Sequence, residues 1–220
     1  MKKIIVHMAS YGSGKTEFAL NEARALRAAG NRVVLVDMDI VNPYFRSGEH
    51  AQALAAEGIE LIMPTFANTA VDVPALPAAV QTIFDREDIC AILDAGGDPV
   101  GATALGRYSQ QLIASGAHVR YIINIFRPFT QTPEQIKTMA QQLVQRSHLP
   151  INALVNNTHM ANFSTPEMLL EGYELLSQVG EELGIPVECS LATEEIAHAA
   201  RTLGVPDVRE IALYTRPEWL

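Results

Sequence analysis

Short apolar runs of strand length recur along this chain, and helical patterns lie between them. That succession constrains the fold more than any other feature. The runs are KIIVHM (3–8), RVVLVDM (32–38), IELIM (59–63), ICAILDA (89–95), VRYIINIF (119–126), INALVN (151–156) and PVECSL (186–191). Most are continuously apolar, which suits strands covered on both faces of a parallel sheet. The helices have legible ends. Residues 16–29 are rich in Ala, Leu, Glu and Arg and close at Gly30. TPEQ (132–135) sets Thr132 at an N-cap, Pro133 at the first helical position and Gln135 where a capping box wants it, and STPEM (164–168) repeats that start. The alternation predicts an α/β, three-layer fold with a mainly parallel central sheet flanked by helices. No repeat, low-complexity tract or linker divides the 220 residues, so the chain reads as one domain over 1–220.

In such a sheet, ligands gather beyond the carboxyl ends of the strands. The first run leads into ASYGSGKT (9–16), the outline of a phosphate-binding loop with Ala9 where a first glycine is usual. That position needs only a small side chain. Gly12 and Gly14 allow the dihedrals that turn backbone N–H groups inward around phosphate oxygens. Lys15 offers a point charge to the β- and γ-phosphates, and the Thr16 hydroxyl can ligate Mg²⁺. The following helix adds its positive end. The expected nucleotide-binding run is Tyr11, Gly12, Ser13, Gly14, Lys15, Thr16 and Glu17, with Tyr11 expected to pack rather than to cover the nucleotide.

Two more strand ends are acidic. LVDMDIVNPYF (35–45) sets Asp37 and Asp39 on one side of the extended chain. One carboxylate can hold water on Mg²⁺ while the other orients the attacking water. AILDAGGDPVGA (91–102) ends a strand with Asp94, a second Mg²⁺ anchor. Gly96 and Gly97 behind it would let the backbone approach and leave a γ-phosphate, and Asp98 adds another acidic group.

With the loop, DMDIVNP (37–43) and DAGGDP (94–99) in view, the sequence resembles the MinD/ParA group of P-loop ATPases and its CobQ/CobB-like relatives. LVNN (154–157) looks like the base-reading strand end of that group, and residues 184–206 look like its last strand, helix and Gly-x-Pro turn. The resemblance implies that Asp39 positions the attacking water, that Asp37 and Asp94 hold Mg²⁺ through water, and that Asn156, with Asn157, hydrogen-bonds adenine. An amide donates and accepts at once, as a purine edge requires. NNTH (156–159) lacks the Lys and Asp of a guanine-reading NKxD, which favours ATP over GTP. Residues 64–80 match nothing general in the group. One departure matters. Much of the group carries an extra lysine early in the loop that reaches a dimer partner's phosphates. Ser10 stands there, and Arg46 and Arg107 are the substitute cations that sequence suggests. A homodimer is therefore left open, and a dimer-gated partitioning role is not carried over.

Composition narrows the rest. A net charge of −9, with Lys and Arg never in a block, argues against a protein that coats nucleic acid. No apolar run approaches the ~20 residues of a membrane span, and no signal peptide or basic amphipathic tail is visible, so the expected compartment is the cytoplasm. Cys90 and Cys189 read as small buried residues, and the six histidines show no metal-ligand spacing. The expected function is a Mg²⁺-dependent ATPase coupling nucleotide state to switch segments around 38–48 and 95–107, and so to an unknown protein or metabolite partner. The alternatives are a small-molecule ligase or kinase like dethiobiotin synthetase, with 64–80 lining its pocket, and a metal-cofactor maturation ATPase.

Overall fold

The computed structural model describes residues 2–39, 50–64, 78–97 and 99–215. The strands are β1 (Lys3–Ala9), β2 (Arg32–Asp37), β3 (Ile59–Ile62), β4 (Ile89–Asp94), β5 (His118–Ile123), β6 (Ala153–Asn156), β7 (Val187–Ala192) and β8 (Val208–Glu210). They form one sheet in the order β3-β2-β4-β1-β5-β6-β7-β8, and every neighbouring pair is parallel. The expected sheet is therefore present, wholly parallel where it was expected to be mainly so. β8 has no counterpart among the apolar runs. Its sequence, VRE, buries only Val208 at an edge of the sheet and carries too short an apolar signal to read.

Continuous burial explains the continuous apolar sequence. Along β1, Ile4, Val6 and Met8 enter one core while Ile5 enters another. The second core is closed by α1 (Lys15–Ala28) and α2 (Ala51–Ala56) through Ala19, Leu20, Ala23 and Leu54. The opposite face is covered by α3 (Ala79–Asp85), α4 (Pro99–Gly106), α5 (Ser109–Ala114), α6 (Pro133–Ser147) and α7 (Pro166–Leu183). α8 (Glu194–Thr202) packs Ala197 and Ala200 beside Ala192 and Val208 at the β8 end of the sheet. The Thr132 and Thr165 side chains accept from the N–H groups of Gln135 and Met168, so both helix starts lie where the Thr-Pro-Glu pattern puts them. Each satisfies a donor that the first turn leaves unpaired.

A buried charge network crosses the sheet between β1, β5, β7 and α1. Arg120 reaches Glu22 at 2.7 Å and Glu188 at 2.6 Å. Glu22 also meets His7 at 3.0 Å, and Glu188 meets His118 at 2.8 Å and Arg209 at 2.9 Å. The His7 ring stacks on Phe18 at 4.7 Å. Burial alone would raise the Glu22 carboxyl, but the bond to His7, the charge on His7 and the neighbouring Arg120 outweigh it and hold the group at about 2.

Candidate functional site: a phosphate loop between an acidic cleft and a base-sized cavity

The loop leaves β1 at Ser10 and enters α1 at Lys15. Gly12 and Gly14 sit at φ 74 and 77, a region that excludes most side chains. Gly14 is constrained twice, since a Cβ there would lie 2.2 Å from the Asn157 amide nitrogen. The Ser10 and Ser13 hydroxyls bond each other at 2.8 Å and close the loop from within. Ser10 is thus a buried loop residue that donates no charge.

On one side of the loop lies a small cleft shared by Lys15, Thr16, Asp37, Asp39 and Asp94. Register creates it, because β2 and β4 pair Asp37 with Asp94 across the ladder. The Lys15 ammonium and the Thr16 hydroxyl each donate to Asp94 at 2.7 Å, one to each carboxylate oxygen. Asp37 accepts from the backbone N–H of Asp39 at 2.9 Å. Burial, and then the charge of Asp94, push the Asp37 carboxyl up to about 7, although the Asp39 N–H and Lys15 pull the other way. The glycines behind Asp94 are needed for close approach: a Cβ at Gly96 would lie 2.6 Å from the Gly101 Cα, and one at Gly97 would lie 3.1 Å from the Tyr11 Cα. Thr16 Oγ1 and the Asp94 and Asp37 carboxylates are hard oxygen donors of the kind magnesium takes. Among the described residues no three His, Cys, Asp or Glu side chains are grouped to hold a metal alone. A magnesium ion here would be held chiefly by phosphate oxygens and water.

On the other side, a cavity of about 680 Å³ runs from Gly12 and Gly14 past Asn157 to Ala192, Ile196 and Leu213. The expected roles of three residues change here. Asn156 is fully buried, and its amide bonds the Leu169 carbonyl at 2.9 Å, Ser190 Oγ at 3.0 Å and the Thr158 N–H at 3.2 Å. It ties β6 to α7 and β7 and does not line the cavity. Asn157 does, with its amide donating to the Ser13 carbonyl at 2.7 Å. Adjacent residues at a strand end point to opposite sides, so the repeated Asn left this choice open. Glu17 lines the cavity, but its carboxylate is taken by the Tyr214 N–H at 2.6 Å, the Thr215 N–H at 3.0 Å and the Thr215 hydroxyl at 2.7 Å. These bonds fasten Tyr214 and Thr215 to the start of α1. Tyr11, expected to pack, is 66% exposed at the mouth of the loop.

Sequence reasoning missed Arg127 and set His159 only near the site with an ordinary structural role; both line the same cavity. Arg127 stands in no motif, and the turn after β5 brings it there; His159 follows on the β6 strand end. Of the suggested cations, Arg46 lies outside the described residues, as do Asn42, Pro43, Asp98 and 65–77 of the unmatched segment. Arg107 is exposed beyond Gly106, which packs on the Arg146 carbonyl and His148 at the far end of α6 from the loop. The two cysteines are free and buried, and burial pushes the Cys189 thiol up to about 11, which disfavours the thiolate a soft metal needs.

Residues 4–183 match the model of the CobQ/CobB/MinD/ParA nucleotide binding domain. The chain belongs to that family. It is thus a P-loop nucleotide-binding protein. No curated protein sequence matched it. Similar solved folds include the cell division protein FtsY of Thermotoga maritima (16% identity, TM-score 0.57, 87% of this chain and 62% of that one). Others are the chloroplast FtsY of Physcomitrella patens (15%, 0.56, 86% and 58%) and the signal recognition particle 54 kDa protein of Aeropyrum pernix in complex with GDP (16%, 0.54, 86% and 41%). The chain spans less than two thirds of the length of each, and at this identity the likeness is one of fold. No helix among the described residues is long and apolar enough to cross a membrane.

Proposed function

We propose that this protein binds Mg-ATP and hydrolyses it, coupling nucleotide state to the segments that follow β2 and β4 and through them to a protein or metabolite partner in the cytoplasm. One observation carries the reading: the loop stands between a cleft holding Lys15, Thr16 and three aspartates and a cavity large enough for a nucleoside. The two sides match the two ends of a nucleoside triphosphate. Adenine is favoured over guanine by the cavity wall. Guanine recognition is best served by a carboxylate that accepts from the ring N1–H and the exocyclic amino group, and Glu17, the acidic residue among those lining the cavity, is already bound to Tyr214 and Thr215. Ala192, Ile196 and Leu213 would pack the base, and Asn157 is the amide at its edge.

Lys15 and the inward N–H groups of the loop would bind and orient the phosphates. Asp39, on the same cleft as Lys15, would hold the attacking water in line. A magnesium ion bound with the nucleotide would neutralise charge as it develops on the phosphate oxygens. The test is titration with fluorescent ATP and GTP analogues, followed by phosphate release with and without Mg²⁺. Tighter GTP than ATP binding would reject the base assignment. Asp39→Ala should bind ATP and lose turnover by about 100-fold or more; retained hydrolysis would reject its role.

A second reading is favoured by a specific feature. An apolar hollow of about 630 Å³, lined by Phe129 and Met139, opens beside Ser10, Tyr11 and Gly97 at the mouth of the loop. It would accommodate the second substrate of a ligase or kinase. In that case phosphate release is negligible until a small-molecule acceptor is added.

A further inference from the structure

We infer that Arg127, in the turn between β5 and α6, is a base-stacking residue: its flat guanidinium closes the β5 side of the cavity proposed for the base and lies over one face of the purine. This rests on the nucleotide reading above and adds to it the group that covers the base. The cavity opens beyond the carboxyl ends of β5, β6 and β7, which stand side by side in the sheet. Asn157 follows β6 in the middle, Ala192 and Ile196 belong to the β7 side, and Arg127 is the lining residue that the β5 side supplies. Neighbouring strands lie about 5 Å apart, so β5 and β7 are separated by about 10 Å. A flat ring touched on both faces needs about 7 Å between the groups that hold it. A base whose edge meets Asn157 therefore has room for an apolar wall on one face and one flat group on the other.

The guanidinium is set for that place. Its Nε donates to the Gly12 carbonyl at 2.9 Å. A Cβ on Gly12 would stand 3.0, 3.1 and 3.4 Å from Nε, Cζ and Nη2, so the group lies broadside to a position that only glycine leaves open. The turn holds the arginine there. The Asn124 carbonyl accepts from the Arg127 N–H at 3.1 Å and from Thr130 Oγ1 at 2.7 Å, and Asn124 Oδ1 accepts from the Phe126 N–H at 3.0 Å. Asn124 is fully buried, and its amide also donates to the His159 carbonyl at 3.0 Å. One buried asparagine thus joins the turn that carries Arg127 to the segment after β6 that carries Asn157 and His159.

Among the described residues no other flat side chain is placed for this. Purine faces stack on aromatic rings and on guanidinium planes. Tyr214 stands beyond β8, and its ring already carries the Arg24 guanidinium at 3.9 Å. The Asn157 amide is tied to the Ser13 carbonyl at 2.7 Å. His159 lies against Gly14, with Nε2 3.6 Å from where a Cβ would stand. Burial, and then the Arg127 charge, lower the pKa of His159, so the neighbouring imidazole is uncharged near neutral pH and does not repel the guanidinium. Arg127 has no carboxylate partner and no ring upon it among the described residues, so its free face is open to a ligand.

The alternative is that Arg127 only props the loop through the Gly12 carbonyl. The two differ in their dependence on the base. ADP, a non-hydrolysable ATP analogue and inorganic tripolyphosphate are titrated calorimetrically, with Mg²⁺, into the full chain and its Arg127→Ala and Arg127→Lys variants. Arg127→Ala should weaken ADP and the ATP analogue by the same factor, about tenfold, and leave tripolyphosphate within about twofold. Arg127→Lys keeps the charge and a donor for Gly12 but not the flat face, so it should lose nearly as much as Ala. Tripolyphosphate weakened as much as the nucleotides, weakening of the ATP analogue alone, recovery by Lys, or unchanged nucleotide affinity would each overturn the inference. A wild-type chain that holds tripolyphosphate as tightly as the ATP analogue would reject the base cavity itself, and one that binds none of the three would reject the nucleotide reading; the inference would fall with either. Arg127 is exposed, so its removal leaves the core intact.

Discussion

Two clusters of buried charge lie within this sheet, and they are built on opposite principles. Around Arg120, every charged group has an opposite partner: Glu22 and Glu188 flank the guanidinium, and His7, His118 and Arg209 occupy the remaining carboxylate lone pairs. Around Lys15, one ammonium faces three aspartates, and burial, followed by the charge of Asp94, pushes the Asp37 carboxyl up to about 7. The first cluster shifts its carboxyls down and the second shifts one up. Burial is common to both, so burial does not mark function. Imbalance does: a site for a polyanion and its cation must keep charges that its own chain leaves unmatched.

This contrast predicts that the two clusters fail differently. Arg120→Ala strands two carboxylates and should lower stability by about 3–5 kcal/mol in urea unfolding, while nucleotide affinity of the folded protein stays within about twofold. The Glu22 carboxyl sits at about 2 when folded against the ordinary 4.5, so the folded state binds fewer protons in that interval. Its contribution, on the order of 3 kcal/mol, is complete above pH 4.5 and disappears as pH falls toward 2. Glu22→Gln should therefore flatten the acid limb of a stability-versus-pH curve, and an unchanged limb would show that the cluster is not what acid breaks. Lys15→Ala should cost roughly 100-fold in ATP affinity, or about 3 kcal/mol. The smallest effect belongs to Asn157→Ala, which should narrow the preference for ATP over GTP by about tenfold in competition binding. The same change at Asn156 should instead appear as lost stability.

Which parts of this were legible in sequence follows from the physics of each. The seven apolar runs all fall on strands because a parallel sheet buried on both faces tolerates little else. The phosphate loop and the acidic ends of β2 and β4 were legible because each needs fixed residue types in a short span. Asn156 and Asn157 could not be told apart, since chemistry is identical and only the strand's two-residue period separates them. Glu17 read as part of the loop, yet its partners, Tyr214 and Thr215, lie far along the chain. Arg127 shares this difficulty: the buried Asn124 holds its turn beside the His159 loop, and no local pattern announces it.

The bonds from Glu17 to Tyr214 and Thr215 have an engineering consequence. The helix that begins at the phosphate loop is laced to residues almost two hundred positions later, and those residues form one wall of the cavity proposed for the base. With the base bound in that cavity as proposed, nucleotide occupancy and the docking of that late segment would be linked. An environment-sensitive dye placed near Leu213 would report on ligand, and a truncation ahead of it would loosen ligand grip without touching the loop at all.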